Sequence, residues 1–227
     1  MIDRVLDLVA PHICCSCGRE NAILCENCYF DIIDEPYARC VGCLQPAGNT
    51  NICSGCRGTL GATDAWVVSE RSGAVKELID KYKFERVRSA ADVISHLLHD
   101  RLPLLQRETI VCYIPDVPAH RRQRGYDHMQ RVAVLFAKER GLKMLPLLSR
   151  RTFHSQRGLP RKQRLEIQKD AFIVPSLPSG RPVLLLDDIY TTGGTISAGV
   201  QALLAAGVSE VYCGIVARQP LDDTTNS

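Results

Sequence analysis

The chain has 227 residues, room for one full domain and a small one, and its 45% hydrophobic and 23% charged residues are an ordinary globular balance. No apolar run approaches the ~20 residues that cross a bilayer, and Met1 to Ala10 is amphipathic and carries Asp3 and Asp7, so membrane insertion and export are not expected and a cytoplasmic location is. Net charge is only +3, yet residues 115–169 hold 14 Lys and Arg against 4 Asp and Glu, a positive stretch suited to a phosphorylated ligand or nucleic acid.

In chain order, a cysteine-rich module comes first. Nine of the eleven cysteines lie between Cys14 and Cys56, a density that points to metal ligation in a chain expected to stay in a reducing compartment. Cys14/Cys17, Cys25/Cys28, Cys40/Cys43 and Cys53/Cys56 each show the Cys-x-x-Cys spacing, which lets two thiolates meet one tetrahedral Zn²⁺ through a tight turn. Eight such ligands make two structural Zn²⁺ sites. Spacers of seven and nine residues favour pairing in sequence, and a cross-braced pairing is the alternative. Cys15 is surplus, and His12 is expected to face solvent.

A strand is expected at Ala65 to Val68, then a helix from Ala74 to Tyr82 capped by Ser72, and a second helix from Ser89 to Leu105. Ile110 to Ile114 reads as a buried strand stopped by Pro115, and Met129 to Glu139 as a helix stopped by Gly141. Lys143 to Leu147 reads as a short edge strand, and residues 150–169 as a basic loop or arm. Val183 to Leu186 is a strand, Thr195 to Ala206 a helix ended by Gly207, and Glu210 to Val216 a strand, with a polar tail from Leu221. Alternating helices and wholly apolar strands argue for an α/β fold, a parallel sheet flanked by helices. The expected division is a cysteine module over residues 1–62, the α/β domain over 63–220 and the tail over 221–227.

Val183 to Thr195 carries the sharpest chemistry. Two acids follow a buried strand, and a Thr- and Gly-rich loop then opens a helix. Gly193 and Gly194 admit an anion close to the backbone, Thr191, Thr192 and Thr195 add hydroxyls, and the helix N-terminus adds N–H donors. Asp187 and Asp188 suit ribose hydroxyls, or a Mg²⁺ bridging them to a diphosphate. The segment resembles the motif of type I phosphoribosyltransferases that binds phosphoribosyl pyrophosphate (PRPP). That resemblance implies that Asp187 and Asp188 hold the ribose 2′- and 3′-hydroxyls while Thr191 to Thr195 wrap the 5′-phosphate. Thr191 stands where 6-oxopurine phosphoribosyltransferases carry an acid, which argues against hypoxanthine or guanine salvage.

Together with the cysteine pairs, Pro115 to His128 and the basic stretch, this motif resembles the ComF/GntX-like family over nearly the whole chain. The family implies a double zinc ribbon joined to a type I phosphoribosyltransferase-like domain, and a link to DNA uptake. Family members usually show Arg-Gly-Phe-Asn-Gln where this chain has Arg124-Gly125-Tyr126-Asp127-His128. The resemblance also puts a diphosphate-binding loop at Pro115 to Arg124, with Arg121 and Arg124 as candidate contacts; the alternative is a solvated basic face. Thr152 to Arg164, with Gln156, Arg157, Lys162 and Arg164, is either a flap over the ligand or a basic linker. Tyr82, Phe84 and Tyr126 beside Lys81, Lys83 and Arg124 add an aromatic–cation mixture of the kind that binds single strands. Two functions follow: a phosphoribosyltransferase with unknown acceptor and no identifiable general base, or a single-stranded-DNA-binding accessory factor, meeting DNA-uptake proteins, whose PRPP site is regulatory or vestigial.

Overall fold

The computed structural model describes residues 12–48, 50–151, 171–175 and 180–220. The amphipathic start, the expected flap at Thr152 to Arg164 and the tail from Leu221 lie outside them.

Five parallel strands form the central sheet: β1 (Asp64–Glu70), β2 (Ile110–Tyr113), β3 (Lys143–Met144), β6 (Val183–Tyr190) and β7 (Val211–Arg218), in the order β1-β7-β6-β2-β3. β4 (Ser149–Arg150) and β5 (Phe172–Ile173) pair antiparallel in a small separate ladder that the sequence did not announce. The helices are α1 (Glu26–Asp34), α2 (Ser54–Leu60), α3 (Gly73–Phe84), α4 (Ala90–Arg101), α5 (Pro118–Arg124), α6 (His128–Arg140) and α7 (Gly194–Ala205). The expected parallel sheet flanked by helices, with a small cysteine-clamped module before it, is the architecture found.

Side chains alternate across the strands, so each face of the sheet has its own core. Leu184, Leu186, Val111 and Val216 pack under α3, α4 and α6. Val183, Leu185, Ile110 and Cys213 pack under α7 and the second half of the cysteine module. Burial on both faces explains why Val183 to Leu186 is continuously apolar. α6 shows the matching helical logic, because Met129, Val132, Ala133, Phe136 and Ala137 fall on one buried stripe. Gly141, at φ 65°, ends that helix in the left-handed region, as expected.

Several boundaries differ from expectation. β6 does not stop at Leu186; it runs through Asp187 and Asp188 to Tyr190, because β7 continues to pair with it as far as Tyr190↔Arg218. α4 ends at Arg101, where Leu102 turns extended ahead of Pro103. β3 keeps only Lys143 and Met144 of its expected span. Residues 118–124, read as loop, form α5, with Pro118 opening the first turn and no buried residue. Ser72 stands at the start of α3 but makes no side-chain capping bond. His12 is half-buried rather than solvent-facing, with its Nε2 3.1 Å from Ser89 Oγ.

Candidate functional site

β2 and β6 are neighbours, yet the helix after β2 covers one face of the sheet and the helix after β6 the other. The winding reverses between these two strands, which opens a crevice at their carboxyl ends, where α/β folds bind ligands. β2 ends at Tyr113, paired with Leu186, so its chain turns away where β6 carries on into Asp187 and Asp188. Both acids are buried at 8% exposure.

Two cationic side chains converge on Asp188, with Asp116 and Arg124 behind them. Lys83, from the last turn of α3, places Nζ 2.5 Å from Asp188 Oδ2, and His128 Nε2 makes a very short contact with the same oxygen. On its other side the imidazole meets Asp116, with Nδ1 2.8 Å from Oδ2, and Arg124 Nη2 donates to Asp116 Oδ1 at 3.1 Å. Asp127 caps α6 through the Gln130 N–H and accepts the Asp116 N–H at 2.9 Å, which fixes both ends of the β2–α6 connection. Tyr82 anchors the turn by donating to the His128 carbonyl at 2.7 Å.

These contacts set the charges. Burial alone would lower the His128 pKa, but the Asp188 charge and the hydrogen bonds to Asp116 and Asp188 raise it to about 9. Burial works against ionised Asp188 too, and the Lys83 and His128 charges override it and hold its pKa below the usual carboxylate range. At Asp187 burial and the Asp188 charge outweigh the more distant Lys83 and His128 charges and push its pKa up. One carboxylate is thus held ionised beside another that resists ionisation.

Beyond the acids, Gly193 sits at φ 81° at the N-cap of α7, a conformation that costs other residues strain. The side chains of Thr191, Thr192 and Thr195 are exposed around the open end of that helix. The loop therefore offers hydroxyls and unpaired N–H groups beside the buried acids. Of the candidate diphosphate contacts, Arg124 is engaged by Asp116, and Arg121 stands exposed on α5. Lys83, read from sequence only as part of a single-strand-binding mixture, pairs with Asp188 instead, and Asp116 was given no role. The available signals were an acid directly after a strand end, between Pro115 and Pro118, and a lysine in the last turn of a helix.

The cysteines fall into two clusters, Cys14–Cys17–Cys25–Cys28 and Cys40–Cys43–Cys53–Cys56, with the sulfurs of each within 4.8 Å of one another. Pairing is in sequence. Four sulfurs placed about 2.3 Å from one Zn²⁺ stand about 3.8 Å apart. The Cys17–Cys25 and Cys43–Cys53 sulfurs lie at 3.6 and 3.8 Å, so both clusters fit structural zinc.

Both clusters are built alike. A knuckle closed by a two-residue bridge, Ile13↔Glu20 or Arg39↔Pro46, supplies the first pair, and Cys25 or Cys53 then caps α1 or α2. The Cys25 and Cys53 N–H groups donate to the Cys14 and Cys40 sulfurs at 3.4 Å. Against the opposing effect of burial, backbone donors of this kind lower the Cys40 thiol pKa to about 6. Cys15 lies outside both clusters, with Sγ 3.7 Å from the Ala74 carbonyl. Cys112 and Cys213 are fully buried, and burial raises both thiols.

Among the described residues, no helix is long and apolar enough to cross a membrane. No protein-family model matches the chain. "Competence protein ComFC" of Streptococcus pneumoniae (strain ATCC BAA-255 / R6) is 27% identical over 199 residues, covering 85% of this chain and 86% of that protein. A solved structure of "the allosteric regulatory enzyme of purine biosynthesis" aligns with a TM-score of 0.42 at 20% identity. It covers 57% of this chain, which spans only 26% of that one, and at that score the likeness carries no argument about the fold. With a relative matched along most of both chains, two Cys₄ clusters and a parallel sheet behind them, the resemblance to the ComF/GntX-like family holds in sequence and in architecture.

Proposed function

We propose that the crevice between β2 and β6 binds PRPP with Mg²⁺, and that the protein is a cytoplasmic ComF-like factor of the phosphoribosyltransferase type. Its two cysteine clusters each hold a structural zinc. The observation that carries the ligand reading is the pair of buried acids running directly into the Thr191 to Thr195 loop at the switch point of the sheet. The loop N–H groups and the exposed threonine hydroxyls receive the 5′-phosphate. Asp187 and Asp188 receive the ribose hydroxyls; Lys83 and His128 both contact Oδ2 of Asp188, which leaves Oδ1 for a hydroxyl.

Carboxylate oxygens suit Mg²⁺, but two cationic groups already neutralise Asp188. Asp187 and Asp188 would therefore hold the ribose hydroxyls, and a Mg²⁺ would be held by the diphosphate rather than by these acids directly. When bound, Mg²⁺ neutralises the departing diphosphate. Arg121, exposed on α5, and Arg124, if released from Asp116, provide diphosphate contacts from the protein. The name of the pneumococcal relative and the basic stretch support a role in competence and DNA uptake. Calorimetry with PRPP and Mg²⁺ tests the reading directly; a chain with both zinc ions that shows no heat of binding overturns it.

A second reading has its own support. Arg121 and Arg122 are exposed on α5, Phe84 is 74% exposed, and Arg88 lies over the Tyr126 ring, so exposed cations and aromatics of the type that bind single strands are present. Under this reading the chain is an accessory factor for single-stranded DNA. Binding must then weaken steeply with salt; affinity unchanged between low and physiological salt removes it.

A further inference from the structure

The two cysteine clusters share one design but not one setting. The first packs against Ala74 of α3 and Val93 of α4, and among the described residues no hydrogen bond or ion pair joins it to the phosphate loop. The second lies against the loop itself. A cavity of about 340 Å³ separates the two, lined by Val41, Gly42, Cys43 and Cys56 on one side and by Thr192 and Gly193 on the other.

One buried side chain crosses beside this cavity. Arg218, 3% exposed at the end of β7, donates through Nε to the carbonyl of Val41, inside the second knuckle, at 2.7 Å. Through Nη1 it donates to the carbonyls of Tyr190 and Gln219, and its guanidinium lies 5.1 Å from the centre of the Tyr190 ring. Tyr190 in turn fits under Gly193, where an added Cβ would meet the phenol oxygen at 2.1 Å. Knuckle, Arg218, Tyr190 and the left-handed Gly193 thus form a continuous chain of contacts. A guanidinium suits the middle link because one rigid fork serves carbonyls on separate elements.

We propose that the second cysteine cluster, acting through Arg218 and Tyr190, positions the phosphate loop, so that metal bound at this cluster alone sets the loop's affinity for its anion. The proposal rests on the reading of the loop as the PRPP site. Arg218 and Tyr190 are positioning residues: they hold Gly193 in its left-handed conformation at the start of α7. The first cluster, of the same composition, is a built-in control.

The test compares the full chain with Cys17→Ser, Cys43→Ser and Arg218→Lys. Cys17 and Cys43 hold corresponding, exposed places in the two clusters. Zinc content, calorimetry with PRPP and Mg²⁺, and hydrogen exchange over residues 190–197 are measured for each. Cys17→Ser is expected to bind within about twofold of the unsubstituted chain, and Cys43→Ser and Arg218→Lys at least about tenfold more weakly. Exchange over 190–197 rises only in the latter two, and Arg218→Lys keeps both zinc ions. Equal losses from Cys17→Ser and Cys43→Ser, or unchanged exchange in Cys43→Ser, overturn the proposal. If Cys43→Ser does not fold, Arg218→Lys decides it by the same two readouts. Absence of PRPP binding in the unsubstituted chain refutes the donor reading instead, and the exchange comparison then still decides the coupling.

Discussion

Asp127 and His128 stand where ComF/GntX-like proteins usually carry Asn and Gln, and both titratable groups are structurally employed. Asp127 caps α6, and His128 bridges Asp116 to Asp188. Because folding raises the His128 pKa from 6.5 to about 9, its protonated form contributes stability that is complete below pH ~6.5 and lost as pH rises through about 9. That contribution is on the order of 3 kcal/mol for this buried group. His128→Gln should therefore be destabilised most at pH 6 and approach the unsubstituted chain by pH 10, as read by denaturant titration across that range; a pH-independent difference contradicts the bridge. Asp188→Asn keeps the shape of the site and removes the charge that Lys83 and His128 surround. It is expected to weaken PRPP binding at least about tenfold, which calorimetry checks. An unchanged affinity would remove Asp188 from the site.

At the scale of elements, the central-sheet strands, the major helices and the Thr- and Gly-rich turn before α7 were legible because local chemistry dictated them: apolar runs, a helical stripe, and glycines at turns. What escaped depended on neighbours distant in sequence. β6 outruns its apolar run because β7 continues to pair with it beyond Leu186. Lys83 reaches Asp188 across 105 positions, and spacing carries no sign of such a pairing. The cluster pairing was open in sequence and follows from the knuckles, which fold locally around each set of four cysteines. Gly193 is the element-scale test of the loop. Gly193→Ala meets both a positive φ and the Tyr190 hydroxyl, so it should cost about 1–3 kcal/mol and reduce anion binding. Thermal unfolding and calorimetry read the two effects, and full stability with full binding contradicts the packing described.

For the whole molecule, the cysteine module is tied to the sheet rather than strung before it. Val41, Ile52 and Leu60 share a core with β6 and β7, and the Asn51 side chain accepts from Val67 and donates to Tyr37. Metal analysis is expected to find two zinc ions per chain, and chelation should lower the melting temperature of the whole protein in one transition; less than one zinc per chain rejects the two-site assignment. The strand order has a consequence for how the chain is made. Among the described residues β1 sits at the sheet edge and pairs only with β7, so Asp64 waits for Tyr212, 148 positions later. During synthesis the cysteine module and β1 leave the ribosome long before the strand that completes their platform. Folding of so non-local a contact is slow. Through that interval the second cluster, whose platform is β6 and β7, has only its own four thiols and an early-bound ion to hold it, so zinc supply during translation, rather than afterwards, should govern the yield of native protein.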